Sequence, residues 1–470
     1  MKIPSPQVTP AENSNPSDRN DARPSGRPAG GGRRARGATT PEEGIPSADQ
    51  LRRLLKRLCT GLALGAGFWG LGGGLVRAAE APTTPKPPTS AAPAAAVASG
   101  GVRWGADPLL VSDPGLGLPF AVDDTAVPAG DPASSENEWV AAPVPFINSL
   151  LGFGVSAGAA YIYHPPGQDK KLPPWTTGVG VFYSESKSWG VALGHKMNLR
   201  SDTWRVTGLM GYGSVNYDFY GIGAAAGNNP QSVSLHQTIL GLTAEGLVRI
   251  KDHFYTGLNY SLSQVKTRAT DSSLPPWFTG IVSGRELSAV LSLPALRVQW
   301  DSRDNTFLPA RGWLVDGEAA FSDQSFGSDY TFQALSVAAK HYWRLSDRLT
   351  VAAFGYGRFA YGDLPFFELS RIGAKGNLRG YSVGRYQDRM VLTGQVEYRW
   401  QVWRRLGVVA FGGLGAVAPD LSGLFHTTTL PSVGGGVRYL LTEKNKINFR
   451  LDVAWGRDER LFYLGVGEAF

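Results

Sequence analysis

The sequence predicts an all-β protein that folds as a transmembrane antiparallel β-barrel. The first observation is composition: the 470 residues include 60 glycines, 13 tryptophans, 17 tyrosines and 21 phenylalanines, while the mean hydropathy is only −0.15. Abundant glycine and aromatic residues without long apolar runs are typical of many half-exposed strands. The second observation is strand-like alternation over long segments. A strand that crosses a bilayer in a tilted barrel takes ~9–11 residues, whereas strands of soluble proteins usually take ~5–6.

The alternation is clearest in two segments near the C-terminus, residues 391–402 and 446–455. In the first, Leu392, Val396, Tyr398, Trp400 and Val402 face one way, and Thr393, Gln395, Glu397, Arg399 and Gln401 face the other. In the second, Ile447, Phe449, Leu451, Val453 and Trp455 oppose Lys446, Asn448, Arg450 and Asp452. In a membrane barrel the apolar face meets lipid and the polar face lines the lumen. Outer-membrane lipids are therefore the first expected partner.

The same pattern recurs from about residue 147 to the end of the chain. Fifteen segments carry it: 150–163, 175–185, 188–199, 203–217, 231–250, 252–268, 284–301, 311–322, 329–345, 347–361, 389–402, 404–417, 430–443, 445–456 and 459–470. A bacterial barrel with both chain ends in the periplasm needs an even number of strands. We therefore predict sixteen strands, with the missing one in the irregular stretch 203–250. The barrel must close, because an open edge would leave backbone groups unpaired in hydrocarbon.

The first 146 residues are predicted to lie outside the barrel. Residues 58–76 form an apolar run with a basic flank before it and an A-x-A triplet at 79–81. This order is typical of a secretory signal peptide, which gives a leader over 1–81. A membrane-spanning helix is the alternative, but the seven glycines in the run make it a poor permanent anchor. Residues 82–146 are rich in Pro and Ala and are predicted to be a largely disordered linker before a barrel at 147–470.

The charge distribution excludes a nucleic-acid partner. The leader holds 12 of the 46 basic residues and 7 of the 39 acidic ones, so the remainder carries 34 and 32. The rest of the chain is thus almost neutral and has no basic stripe.

One long segment, 362–388, joins two predicted membrane strands, and strand parity places it on the extracellular side. It contains "GNLRGY" at 376–381. A loop of this length folds back into a polar lumen, where the charge of Arg379 must be paired. The planar fork of arginine suits a carboxylate, and Glu397 lies on the lumen face of the next strand. We therefore predict that Arg379 pairs with Glu397 and holds the loop, with Gly376 and Gly380 allowing tight turns.

These residues resemble the bacterial surface antigen barrels of the BamA/TamA superfamily over about 150–470. "GNLRGY" followed by "EYR" (397–399) is similar to the family's loop signature, and "NYDFYGIG" (216–223) resembles another family stretch. The resemblance implies a loop-lock motif of Arg379, Gly380, Tyr381 and Glu397. "DSRDNTFLPARG" (301–312) implies a periplasmic turn motif of Asp301, Arg303, Asp304, Pro309 and Gly312. The terminal Phe470 implies an assembly signal that the cell's barrel assembly machinery reads, and hence a place in the bacterial outer membrane.

The sequence departs from the family at three points. Family members often carry an aspartate one strand after the glutamate, but residues 410–417 contain no carboxylate, so Glu397 is expected to be the sole acidic partner of Arg379. Glu468 stands where a hydrophobic residue is usual. Residues 82–146 are too short and too rich in Pro and Ala for one periplasmic POTRA module, which predicts a barrel without a substrate-receiving arm.

No cofactor, metal or catalytic function is predicted. "GVSAG" (154–158) fits a hydrolase elbow with Ser156 as nucleophile, but its setting is that of a strand rather than a strand–turn–helix. The six histidines are scattered without metal-ligand spacing. The leading hypothesis is an outer-membrane barrel in biogenesis or transport, or a surface antigen. The alternative is an outer-membrane enzyme that modifies lipid.

Overall fold

The structure is a computed structural model. It describes residues 138–166, 175–229, 231–282, 287–305, 308–442 and 447–470. The predicted leader, with its signal peptide, and all but the last nine residues of the predicted linker lie outside these ranges.

The described residues form sixteen strands that close into one antiparallel barrel. Ten of them come before the long loop: β1 (Glu138–Asn148), β2 (Gly152–Tyr163), β3 (Trp175–Ser184), β4 (Trp189–Leu199), β5 (Trp204–Phe219), β6 (Val233–Lys251), β7 (Phe254–Ala269), β8 (Ser288–Asp301), β9 (Gly312–Ser322) and β10 (Phe332–Ser346). The other six are β11 (Leu349–Gly362), β14 (Met390–Gln401), β15 (Leu406–Ala418), β16 (Leu430–Thr442), β17 (Ile447–Trp455) and β18 (Arg460–Val466). Two short strands, β12 (Ser370–Arg371) and β13 (Gln387–Asp388), pair with each other and form a separate sheet that is not part of the barrel wall.

In the described part of the chain, helical structure is confined to short segments between strands. These are two α-helices, Ala224–Gly227 and Pro276–Ile281, and four 3₁₀ segments, Gln324–Phe326, Phe366–Glu368, Ala374–Gly376 and Gly423–Phe425. In the ranges described above, none of the helices is long and apolar enough to cross a membrane.

The predicted strand number is confirmed, but the missing strand was sought in the wrong place. Every one of the fifteen predicted segments corresponds to a barrel strand, and 203–250 forms only the two strands already counted there, β5 and β6. The additional strand is β1, which lies before the first predicted segment and within the predicted linker. Its prolines, Pro143 and Pro145, mask the strand pattern because proline is depleted in strands. The barrel therefore includes residues from Glu138 onward, so the predicted boundary at 147 is wrong.

Aromatic side chains cover the outer face at the rim where β1 begins and β18 ends, which we name the terminal rim. Trp139, Tyr161, Tyr163 and Trp175 form a continuous ladder, with successive ring centroids 4.9, 5.0 and 6.1 Å apart. Further round the wall, the outer face at this rim carries exposed Trp300, Trp313, Trp343 and Trp400. Such a girdle is typical of the interface between hydrocarbon and head groups. The opposite end is named the loop rim, because residues 363–389 leave the wall there.

The interior is filled in two ways. Near the loop rim, lumen-facing Phe219, Leu235 and Phe332 belong to an apolar cluster that includes Phe366 and Phe367 from the segment after β11. Elsewhere the lumen face is polar, as predicted, with fully buried side chains on β14 and β17. The lumen is therefore occupied by packed side chains from the wall and from residues 363–389.

The barrel closes at a short seam between β1 and β18. All eleven residues of β1 are paired with β2. Across the seam, the only paired positions among the described residues are Ile147 and Leu464.

The last four residues, 467–470, leave the sheet. The sequence predicts a final strand over 459–470, with Phe470 in step with the outward Phe462 and Leu464. Instead, β18 ends at Val466 and Gly467 takes a φ of +94°, a conformation that favours glycine. The turn brings Phe470 into a buried cluster with Tyr342 and Phe354. We name residues 467–470 the C-terminal tail.

Candidate functional site

The candidate site lies where residues 363–389, named the β11–β14 loop, meet the lumen face of the wall. Ile372, Leu378 and Tyr381 in this loop are fully buried. Gly380 has a φ of +98°, and a Cβ atom there would lie 2.9 Å from the backbone nitrogen of Gly456. The loop backbone thus approaches the end of β17 so closely that only glycine fits at this position.

Arg379 makes the central polar contacts of the loop. Its side chain is 2% exposed, and Nη2 lies 2.7 Å from Oε2 of Glu397 on β14. Its backbone N–H and its Nε–H both donate to Oε1 of Gln395, at 3.3 and 3.4 Å. Gln395 in turn donates to the carbonyl oxygens of Gly376 and Asn377, at 2.7 and 2.8 Å. Two neighbouring lumen-facing positions of β14 therefore hold both the guanidinium and the loop backbone around it.

The prediction that Glu397 is the sole acidic partner of Arg379 is wrong. Asp452 on β17 lies 3.1 Å from Nη1 of Arg379, so the two arms of the fork reach carboxylates on two different strands. Phe411 on β15 lies directly opposite Glu397, and its ring centroid is 3.4 Å from Cζ of Arg379. The segment 410–417 therefore contributes a stacking surface instead of a carboxylate. Asp452 lies on the predicted polar face of its strand, but its nearness to Arg379 is a long-range contact that no local pattern reveals.

Two further arginines extend this cluster. Arg399 donates to Oε1 of Glu397 at 2.7 Å, and Arg438 on β16 donates to Oδ1 of Asp452 at 2.5 Å. Arg438 also donates to Oε2 of Glu468 at 2.9 Å. The cluster thus contains three arginines and three carboxylates, all nearly or fully buried: Arg379, Arg399, Arg438, Glu397, Asp452 and Glu468. Buried charges need this kind of mutual pairing, because an unpaired one is costly.

Glu468 and Phe470 bring the C-terminal tail into the same cluster. Asn448 donates to Oε1 of Glu468 at 2.6 Å, on the side opposite Arg438. Arg399 donates to the carbonyl oxygen of Phe470 at 2.6 Å, and the ring of Phe470 lies 5.3 Å from that of Phe354. The departure noted at Glu468 therefore coincides with a position that faces charged groups instead of lipid.

Tyr381 and Arg385 attach the loop to the turn between β17 and β18. The Tyr381 hydroxyl donates to the carbonyl oxygen of Pro431 at 2.6 Å and accepts from the Arg457 amide at 3.1 Å. Burial raises the pKa of Tyr381 to about 12, so this hydroxyl keeps its proton at neutral pH. Arg385 lies 2.8 Å from Oε1 of Glu459, whose Oε2 accepts from the Ser382 amide at 2.7 Å.

The loop also contacts the connection between β5 and β6, which follows the family-like stretch 216–223. Arg385 donates through Nε to the carbonyl oxygen of Gly227 at 2.9 Å. Tyr386 donates to Oδ1 of Asn228 at 3.0 Å, and Gln387 donates to the carbonyl oxygen of Gly221 at 3.0 Å. The β11–β14 loop therefore lies against the end of the family-like stretch at Gly221 and against the residues that follow it.

The residues of the predicted periplasmic turn motif lie between β8 and β9, at the terminal rim. Arg303 makes a bidentate pair with Asp301, at 3.0 Å for both bonds. Asp304 accepts from the backbone amides of Ala310 and Arg311, at 2.8 and 3.1 Å. Gly312 follows with a φ of +103°, and Pro309 precedes it in the same turn. The acidic groups are occupied by a salt bridge and by backbone amides, which is the arrangement of a structural turn.

Other candidate residues have structural surroundings. Ser156 lies in the middle of β2, and its hydroxyl donates to the carbonyl oxygen of Val144 at 3.1 Å. His341 packs between Trp313 and Trp343 on the outer face. Over the described part of the chain, no group of three or more His, Cys, Asp or Glu side chains is placed to hold a metal ion.

The closed sixteen-stranded wall, the aromatic girdle and the buried charge cluster beneath a long loop define a β-barrel of the outer-membrane type. Residues 164–470, more than half of the chain, match the Omp85 superfamily domain. The chain belongs to the Omp85 superfamily and is a protein of the bacterial outer membrane. The resemblance drawn from the sequence is thereby confirmed at the level of the superfamily.

The fold is similar to that of a solved structure. BamA from Haemophilus ducreyi, in a crystal structure that lacks POTRA domains 1–3, aligns with a TM-score of 0.51 at 12% identity over 73% of this chain and 74% of that chain. CdiB from Escherichia coli aligns with a TM-score of 0.48 at 13% identity over 73% of this chain and 66% of that chain. None of the curated proteins matches the chain. At 12% identity the similarity to BamA concerns the fold alone.

Proposed function

We propose that this protein is a non-enzymatic outer-membrane barrel in biogenesis or transport, whose lumen is closed by the β11–β14 loop in its resting state. The observation that carries the proposal is the paired burial of Arg379 between Glu397 and Asp452. A loop that places a charged side chain this deep is fixed in position by the wall. With the lumen filled, cargo does not move through an open axial pore, and work on a substrate occurs at the wall or after the loop moves.

Arg379 is proposed to act as the pin of the loop. Its fork connects β14 to β17, and the stacked Phe411 excludes water from one face of the guanidinium. Removal of the arginine would leave Glu397 and Asp452 facing only Arg399 and Arg438. Breaking a buried pair by removal of one partner typically costs about 3–5 kcal/mol, so the docked position of the loop would lose most of its preference.

The proposal is tested by conductance in planar bilayers. Wild type is expected to conduct little, a variant without residues 364–388 to conduct steadily, and Arg379→Ala to switch between the two levels. Arg404→Ala serves as the matched control, because Arg404 is an exposed arginine in the turn after β14. A large, steady conductance of wild type, equal to that of the loop deletion, would contradict the proposal.

The absence of an enzymatic role is proposed on the surroundings of Ser156, the nucleophile that the G-x-S-x-G motif would supply. Its hydroxyl donates to a backbone carbonyl oxygen within the β1–β2 ladder, whereas a nucleophile needs a base that accepts its proton. Purified protein is therefore expected to release no fatty acid or head group from phospholipid vesicles. Release that is lost in Ser156→Ala would establish the lipid-modifying alternative.

We also propose that the cell's barrel assembly machinery is a partner during insertion, with Phe470 as its recognition signal.

A further inference from the structure

The seam edge of β1 carries two prolines at positions that matter for strand pairing. Along a strand, successive residues direct both N–H and C=O to alternate neighbours. Proline has no N–H, so a strand tolerates it only where that group would face an unpaired edge. Which neighbour Pro143 and Pro145 face therefore decides whether they affect the barrel closure.

Three observations assign the two sides of β1. The ladder between β1 and β2 continues over all of β1 without a register shift, so the missing N–H groups of Pro143 and Pro145 cannot face β2. The hydroxyl of Ser156 on β2 reaches the carbonyl oxygen of Val144, which places the even-numbered residues of β1 on the β2 side. The carbonyl oxygen of Phe153 on β2 accepts from the backbone amide of Glu185, the residue that follows β3 in the chain. The backbone groups of odd-numbered residues of β2 are therefore directed toward β3 and away from β1, as this register requires.

Odd-numbered residues of β1 therefore face β18. The paired residue, Ile147, is one of them, and it meets Leu464. The next two positions of the same parity, moving toward the terminal rim, are Pro145 and Pro143. In the register set by Ile147 and Leu464, Pro145 lies opposite Val466 and Pro143 lies opposite Glu468. The pairing between β1 and β18 therefore ends at Ile147, because the next two residues of β1 that are directed toward β18 have no N–H group.

The chain on the other side of the seam follows the same limit. β18 ends at Val466, and the amide of Gly467 donates to the carbonyl oxygen of Asn448 on β17, away from β1. Glu468, which would have faced Pro143, instead lies in the lumen with Arg438 and Asn448. A tail that stayed in the sheet would have placed carbonyl groups against prolines that cannot donate to them.

We propose that Pro143 and Pro145 fix the β1–β18 seam at a single pair and close this edge of β1 to added strands, the extension of β18 included. An incoming strand in this register would donate to the two proline carbonyl oxygens but would leave its own carbonyl groups opposite them without donors. In hydrocarbon, each carbonyl group without a donor is strongly unfavourable. The seam is therefore a fixed gap toward the terminal rim. This inference concerns the wall and does not depend on the function proposed for the loop.

The test is hydrogen exchange of the purified barrel in detergent, followed by mass spectrometry. Pro143→Val combined with Pro145→Val restores two N–H groups, of which the one at 145 lies opposite a residue that stays in the sheet, Val466. Amides in residues 460–467 are expected to exchange about tenfold more slowly, because this one added ladder bond makes local opening of β18 less favourable. The folded band on unboiled gels should also persist to a higher temperature. Pro294→Val on β8 is the matched control, because it changes a strand proline far from the seam.

Two single variants keep the test decisive if the double variant does not fold. Pro145→Val alone should give most of the slowing, because it lies next to the existing pair. Ile147→Pro should act in the opposite direction and speed exchange in 460–467, since it removes the remaining pair. Unchanged exchange in Pro145→Val, or in Ile147→Pro, would overturn the proposal.

Discussion

Arg379 joins two carboxylates on different strands while its flat face rests on an aromatic ring, and this geometry determines what a conservative substitution would do. A lysine ammonium has no fork and no planar face, so it could reach Glu397 or Asp452 but would not stack on Phe411 in the same way. At the scale of a single residue, we therefore expect a positive charge alone to be insufficient to hold the loop.

We expect Arg379→Lys to lose about 1.5–3 kcal/mol of loop-docking free energy, the range for a hydrogen bond to a charged group, which is less than the loss in Arg379→Ala. The measurement is cleavage of the β11–β14 loop by protease added to whole cells. Arg404→Lys, in an exposed turn, should leave the cleavage rate unchanged. A lysine variant as resistant as wild type would mean that charge alone fixes the loop.

At the scale of an element, we expect the position of the C-terminal tail in the lumen to depend mainly on the polar contacts of Glu468, because the tail lies outside the sheet. Glu468→Ala would leave Asn448 without its acceptor and would remove one partner of Arg438. We expect the tail to leave the lumen at a cost of about 1–3 kcal/mol, and carboxypeptidase to remove Phe470 roughly tenfold faster. Asp347→Ala, at an exposed site on the same rim, is the control. Equal digestion of the two variants would show that Phe470 packing alone holds the tail.

The strands also show which features of the fold local sequence patterns can predict. Alternation predicted fifteen of the sixteen barrel strands, because each has one face in lipid and one in the lumen, a difference visible in the sequence. It missed β1, whose prolines are tolerated only because its far edge is unpaired. The pair of Arg379 with Glu397 was predictable because both lie on adjacent segments. Asp452, Arg438 and Glu468 come from later strands, and only closure of the barrel brings them together.

At the scale of the whole molecule, closure of the barrel means that every strand is stabilised by hydrogen bonds to its neighbours. Each barrel strand is hydrogen-bonded along much of its length on at least one side, and the short seam is the weakest point of the wall. The long ladders between the other strands are therefore expected to carry most of the resistance of the wall to unfolding.

We expect the folded protein to migrate faster than the boiled protein on detergent gels, because the closed wall resists denaturation at room temperature. Variants of the loop such as Arg379→Ala should retain this heat-modifiable band, since the wall ladders do not include the loop. Loss of the band in that variant would indicate that loop docking is part of barrel folding.

The buried end of the chain has a practical consequence for labelling. A backbone oxygen of Phe470 is held by Arg399 within the lumen, so any sequence joined after Phe470 would begin inside the wall. An affinity tag or fluorescent protein attached there would have to draw the tail out past the charge cluster before it reached solvent. The β15–β16 connection is the better site for an epitope, because its Leu421 and Phe425 are 52% and 75% exposed at the loop rim.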